Sequence, residues 1–310
     1  MGLSIIEKSR GIWSGKNYST LLYYLPILIF GGLIISHILG AVFCQLLFDI
    51  SFFSSTQEVF NPENKKQIDA MKLMQFFNAA GTFFVPPILF LHLRGLKFSA
   101  YLKLQNPISL KGLVSVLIMA FAMIPLANFL GYLNEGVSLP EFLNFLKVIE
   151  EQTLLITEQF LIMDSSVDLL LMILLIGLVA AVGEELLFRG VLQNFFQEWW
   201  GSKHAAIWVT AFLFSVIHLQ YHAVLPRFIL GALIGYVYVN SGNLRSAILL
   251  HFFYNTTLLI ITFMIQHDGL DASWEMIGVE NFLMVLLATF VLAGALLKLV
   301  PRLSDDHKTT

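Results

Sequence analysis

The chain has one cysteine, Cys44, in 310 residues, and that scarcity removes whole classes of architecture. An internal disulfide needs two thiols, and a cysteine-rich metal knuckle needs more. Charge is scarce too: 13% of residues are Asp, Glu, Lys or Arg, where soluble domains carry about 25%. The net charge is −3 and no polybasic tract is present, so nucleic acid is not an expected partner. There is no His-Glu-x-x-His, which excludes a thermolysin-type zinc site. No aspartate occurs between Asp168 and Asp268, which argues against a presenilin-like pair. A rhomboid-like serine motif is also lacking, because Ser241-Gly242 follows Val239-Asn240.

What fills the chain instead is apolar. Hydrophobic residues make up 57% and mean hydropathy is +0.77, so the expected solvent is lipid. Apolar runs stand at roughly 20–48, 73–93, 112–133, 167–188, 205–221, 226–240, 246–266 and 277–300. The fold expected is all-α and polytopic, with about eight transmembrane helices; 226–240 is short and 205–221 marginal for a core of about 30 Å. The first run is too long for a cleavable signal peptide. Eight spans of about 21 residues leave no room for a large soluble domain.

Charge asymmetry sets the expected orientation. Lys8, Arg10 and Lys16 precede the first run, and Arg94, Lys97, Lys103 and Lys111 follow the second with no acid among them. The stretch 134–168 holds seven acids (Glu135 to Asp168) against Lys147 alone. The positive-inside rule then places both termini, the 94–111 loop and the tail 301–310 in the cytoplasm of a multi-pass protein of the cell membrane. The 134–166 segment mixes Leu and Ile with acids, as an amphipathic helix on the outer surface would.

Ionisable residues at membrane depth cost about 2.5–3.5 kcal/mol each on insertion scales, so each needs a reason. They concentrate in one third of the chain: Glu184, Glu185 and Arg189, then His218 and His222, then His251 and Asn255. Glu185 and Arg189 are i,i+4 neighbours and can pair, leaving Glu184 the freer carboxylate. Glu184 and Glu185 differ by about 100° around a helix, so they should not face one point. His251 and Asn255 share a face. If the fourth helix runs on to turn at Gly201, Glu184 and His218 lie at matching heights, with His251 nearer the cytoplasm; if it ends near Arg189, the groups separate. Bland roles weigh against each residue singly: an ion pair for Glu185–Arg189, packing for a lone histidine, interhelical glue for Asn255, close helix approach for Gly231-x-x-x-Gly235. Together, a carboxylate, two imidazoles and an amide are the parts for activating a water and holding a carbonyl.

In order, these motifs resemble the CPBP intramembrane protease family (Abi and type II CAAX prenyl endopeptidase-like proteins). Glu184-Glu185-x-x-x-Arg189, Phe214-x-x-x-His218, the glycine-spaced stretch Phe228 to Gly235 and His251-x-x-x-Asn255 carry the resemblance. It implies a core over 166–262, flanked by membrane helices in 1–165 and a last helix with a tail in 263–310. It implies an endopeptidase acting on a peptide or protein substrate, lipidated or membrane-bound, within the bilayer. Glu184 with His218 would activate water, His251 and Asn255 would hold the carbonyl and its oxyanion, and Glu185, Arg189 and Phe214 would shape the site. The family label is metalloprotease, in which case Glu184, His218 and His251 would hold Zn²⁺ with one open position. A metal-free glutamate mechanism is the other possibility, toward which the sequence leans. A non-catalytic immunity or scaffold protein of the same fold is the alternative function.

Overall fold

The computed structural model describes residues 11–52, 64–105, 107–137 and 139–298. Lys8, Arg10 and the tail 301–310, which contribute to the orientation argument, lie outside the described residues. Nine main helices follow in order: α1 Tyr18–Phe48, α2 Lys65–Arg94, α3 Leu110–Glu135, α4 Phe145–Phe160, α5 Ser166–Trp200, α6 Lys203–Val216, α7 Val224–Ser241, α8 Leu244–Gln266 and α9 Phe282–Lys298. The described residues are all-α. By length and composition six segments can cross a membrane, and α6 and α9 add two shorter apolar helices.

The side chains turned outward explain the composition. Ile27, Phe30, Ile34 and Leu46 of α1 are 59–74% exposed, and α9 presents Leu283 and Phe290 in the same way. In water this would be an aggregating surface; against hydrocarbon it costs nothing. The inward faces form one principal core around Leu25, Phe90, Met119, Met123, Phe188, Phe195, Ile234 and Leu250.

Six of the nine helices begin where the sequence supplies a side-chain cap. Asn17, Asn64, Ser109, Ser165, Ser202 and Asn243 each accept a hydrogen bond from a backbone N–H of the helix they open. Gly201 ends α5 with φ +67°, which a side chain would strain, so α6 can return at once.

Two departures from expectation position the site. The run 205–221 is helical only to Val216, then turns through 217–220 into a short 3₁₀ stretch, Tyr221–Ala223. Fourteen residues reach about 21 Å, short of the hydrocarbon thickness. The second departure is the α7–α8 turn. Counting from a surface turn put His251 below Glu184, yet Ser241, Asn243 and Leu244 are buried, so α8 starts inside the protein. His251 is consequently level with Glu184.

The amphipathic stretch is α4, as the pattern suggests, but it is seated on the protein. Phe160 joins Met163, Met172 and Leu259 in a small core, while Phe142, Phe145 and Leu155 face outward.

Candidate active site

The polar centre forms where α5, α7 and α8 meet. Helix α5 is not uniform: π-helical stretches at Ile173–Val179 and Leu186–Gln193 flank a short α segment, Ala180–Glu185. Such wide turns change which side chains share a face and recur at functional sites. Helix α5 runs unbroken to Trp200, so the reading that ended it near Arg189 does not hold. Glu184 stands 18 residues from one end of α5 and 16 from the other.

Glu185 is fully buried between two partners. Arg189 Nη1 donates to Glu185 Oε1 at 3.0 Å, and His251 Nδ1–H donates to the same oxygen at 2.9 Å. The tautomer follows from the acceptor: a carboxylate oxygen requires the proton on Nδ1. The other ring nitrogen, Nε2, then faces Glu184 Oε2 at 3.9 Å. Thus the two carboxylates do meet at one side chain, against the expectation from a 100° offset. They reach opposite edges of one imidazole.

Arg189 has further duties. Its Nη2 donates to Gly231 O at 2.8 Å, and its guanidinium lies 4.9 Å from the Phe214 ring centre. One turn on, Gln193 Nε2 donates to Gly235 O at 3.2 Å. Residues 189 and 193 on α5 are therefore matched to the carbonyls of 231 and 235 on α7, an i,i+4 pair on each side. Glycine at 231 and 235 makes this approach possible. A Cβ on Gly235 would stand 2.9 Å from Gln193 Oε1 and 3.0 Å from Ile207 Cγ2; on Gly231 the nearest contacts are 3.3 and 3.4 Å.

Sequence reading paired Glu184 with His218, and here the geometry differs. The imidazole facing Glu184 is that of His251. His218 donates from Nδ1 to Phe214 O at 2.8 Å, leaving Nε2 as its acceptor. The Phe214 ring packs edge-on against both imidazoles, with centroids 5.1 Å from His218 and 6.1 Å from His251. Asn255 is also committed: its Nδ2 donates to Ile176 O at 3.1 Å, inside the first π stretch. Among the described residues no group of three His, Cys, Asp or Glu side chains is arranged to hold a metal ion. Nδ1 of each histidine donates to an oxygen and each Nε2 is left as an acceptor, the state in which an imidazole can ligate a metal, but Glu184, His218 and His251 do not converge on one point as placed.

Three polar residues beside the α6–α7 connection were not singled out from sequence. Glu150 of α4 is buried and accepts from the backbone N–H of Tyr221 at 3.1 Å and His222 at 3.0 Å. Asn134 ends α3 and bridges Tyr221 O at 2.7 Å and Leu225 N at 3.2 Å. These two hold the α6–α7 connection, and with it His218. Arg227, in the first turn of α7, bonds Gln220 Oε1 through Nη2. A signal for Glu150 exists in hindsight. It falls on the stripe Leu146, Ile149, Thr153, Ile156, Phe160, where a carboxylate is out of place. Arg227 is the one charge in the apolar run 226–240.

Residues 166–257 match the family described as Type II CAAX prenyl endopeptidase Rce1-like. The chain carries an Rce1-like domain. The match begins at the first turn of α5 and ends two residues past Asn255, so the Rce1-like segment contains Glu184, Glu185, Arg189, Phe214, His218, Arg227, His251 and Asn255. The family is one of proteases, which supports a peptidase in a multi-pass membrane protein. No curated protein and no solved structure matches the chain.

Proposed function

We propose that the protein is an intramembrane endopeptidase in which Glu184 is the general base. The observation that carries this reading is the 3.9 Å gap between Glu184 Oε2 and His251 Nε2. It is too wide for a direct hydrogen bond, but a water about 2.8 Å from both atoms completes a triangle. Glu184 takes a proton from that water, and the oxygen bonds to the carbonyl carbon of the scissile peptide. The carbonyl π pair moves onto its oxygen. When the C–N bond breaks, its electron pair stays on nitrogen, which receives the proton from Glu184.

Glu185 and Arg189 act as positioning residues. By holding Nδ1–H, Glu185 fixes the His251 tautomer so that Nε2 faces the water, as a buried carboxylate does for the imidazole of a serine-protease triad. Phe214 packs edge-on against both imidazoles. No step in this scheme requires a metal.

Substrates are peptide segments, lipidated or membrane-bound, that reach the depth of Glu184. Purified protein in detergent should cleave members of a quenched-fluorescence peptide library, and Glu184→Ala should abolish cleavage while eluting at the same volume on gel filtration. Cleavage undiminished in Glu184→Ala would end the assignment. Activity should persist in strong chelators. Stoichiometric zinc whose retention depends on both His218 and His251 would replace the glutamate mechanism by a metal one.

A further inference from the structure

Resting on the peptidase reading, we infer that Arg227 is a catalytic residue of the site, its Nη1 donating to the oxyanion of the tetrahedral intermediate. The sequence offers His251 and Asn255 for that task; His251 has no ring proton left to give, and Asn255 has one of its two amide protons already bonded. His251 gives its Nδ1 proton to Glu185 and turns Nε2 to Glu184, and Asn255 gives an amide proton to Ile176 O. Arg227 is the reverse case. Nη2 is held by Gln220, which fixes the plane of the guanidinium, while Nη1 is buried and has no hydrogen-bond partner among the described residues. A buried donor without an acceptor costs about 1–3 kcal/mol, more when charged. A donor in that position is ready to meet an acceptor brought into the site.

The location fits. Arg227 lies on the first turn of α7, beside the connection that carries His218, and Glu184 and His218 are both within its electrostatic reach. Glu150, the nearest other carboxylate on that side, is occupied by two backbone N–H groups. A guanidinium stays protonated at any working pH, so it offers a fixed charge at the moment negative charge develops on the carbonyl oxygen. In a water-poor pocket that interaction is screened little.

The test uses a reporter peptide that the wild-type enzyme cleaves in detergent. Arg227→Gln should lower kcat by about 10²-fold, the loss seen when one oxyanion donor is removed, with KM changed by no more than about twofold. Arg227→Lys keeps the charge and should recover part of kcat. A second readout is binding of a leucine-rich peptide phosphonamidate, a tetrahedral anion, against the amide of the same sequence. Wild type should prefer the phosphonamidate, and Arg227→Gln should lose that preference while binding the amide as before. Unchanged kcat, an unchanged preference, or a KM rise confined to peptides with a free carboxyl terminus would each overturn the assignment. Cleavage that is lost in Glu184→Ala but kept in Arg227→Gln removes Arg227 alone; cleavage kept in both removes the general base as well.

Discussion

At the scale of single residues, Glu185 and Arg189 form a pair in which neither partner can be lost alone. Both are buried, with side-chain exposures of 0% and 1%. Removing one partner of a buried ion pair leaves an uncompensated charge and costs about 3–5 kcal/mol, whereas replacing both by apolar residues is often close to neutral. Arg189→Met should therefore lower the unfolding temperature in detergent sharply, and Glu185→Met/Arg189→Met should recover most of that loss. The double variant should still be inactive, because His251 has lost the acceptor that sets its tautomer. Equal destabilisation of single and double variants would mean that Arg189 matters through Gly231 O and Phe214 rather than through Glu185. The i,i+4 spacing made this pair legible in the sequence, as did the cost of charges at membrane depth. The partnership of Glu184 with His251 was not, because it depends on the height at which α8 starts, and a buried turn at 241–243 leaves no compositional mark.

Among the elements, the contact of α5 with α7 is the tightest constraint on the site. Arg189 and Gln193 reach Gly231 O and Gly235 O only because both glycines lack a Cβ. Gly231→Ala asks its neighbours to yield by a few tenths of an ångström and should cost little. Gly235→Leu meets Gln193 Oε1 and Ile207 directly and should cost several times more stability, of order 1–3 kcal/mol for overpacking. Thermal unfolding of the two variants side by side checks the order. The glycine spacing was readable as close packing, but its polar half was not: nothing in the sequence says that the carbonyls exposed there meet Arg189 and Gln193. The π stretches were equally invisible, since a hydrophobic run reads the same whether its hydrogen bonds skip four residues or five.

For the whole molecule, the count of apolar helices and the amphipathic character of α4 were legible, because lipid forces long apolar runs to be helical, whereas the course of α5 stayed open between a turn at Gly201 and an end near Arg189. What the pattern could not give was which helices stop short. Topology remains a direct consequence of charge placement. Arg94 pairs with Glu198 at 3.1 Å and Trp13 N–H donates to Leu93 O at 2.8 Å, so the N-terminal segment, the end of α2 and the end of α5 share one side. That side carries the positive loops and should be cytoplasmic. Impermeant maleimides on intact cells should label Glu151→Cys and spare Gln105→Cys, both of which stand on exposed positions. Glu150, one residue away, is unsuitable because it is buried against Tyr221 and His222. Background should be low, as Cys44 is buried and donates to Ala70 O. The opposite labelling pattern would invert the orientation.

The alternation of π and α turns in α5 also limits how this chain can change its length. In a surface loop an added residue is absorbed at slight cost. Within α5, one residue gained or lost between Ser166 and Glu184 turns everything beyond it by about 100°. Glu184 would leave His251, and Arg189 and Gln193 would leave the carbonyls of Gly231 and Gly235. A segment made of interchangeable apolar side chains is thus tolerant of substitution and intolerant of insertion. Its spacing, not its composition, is what descent with modification must preserve.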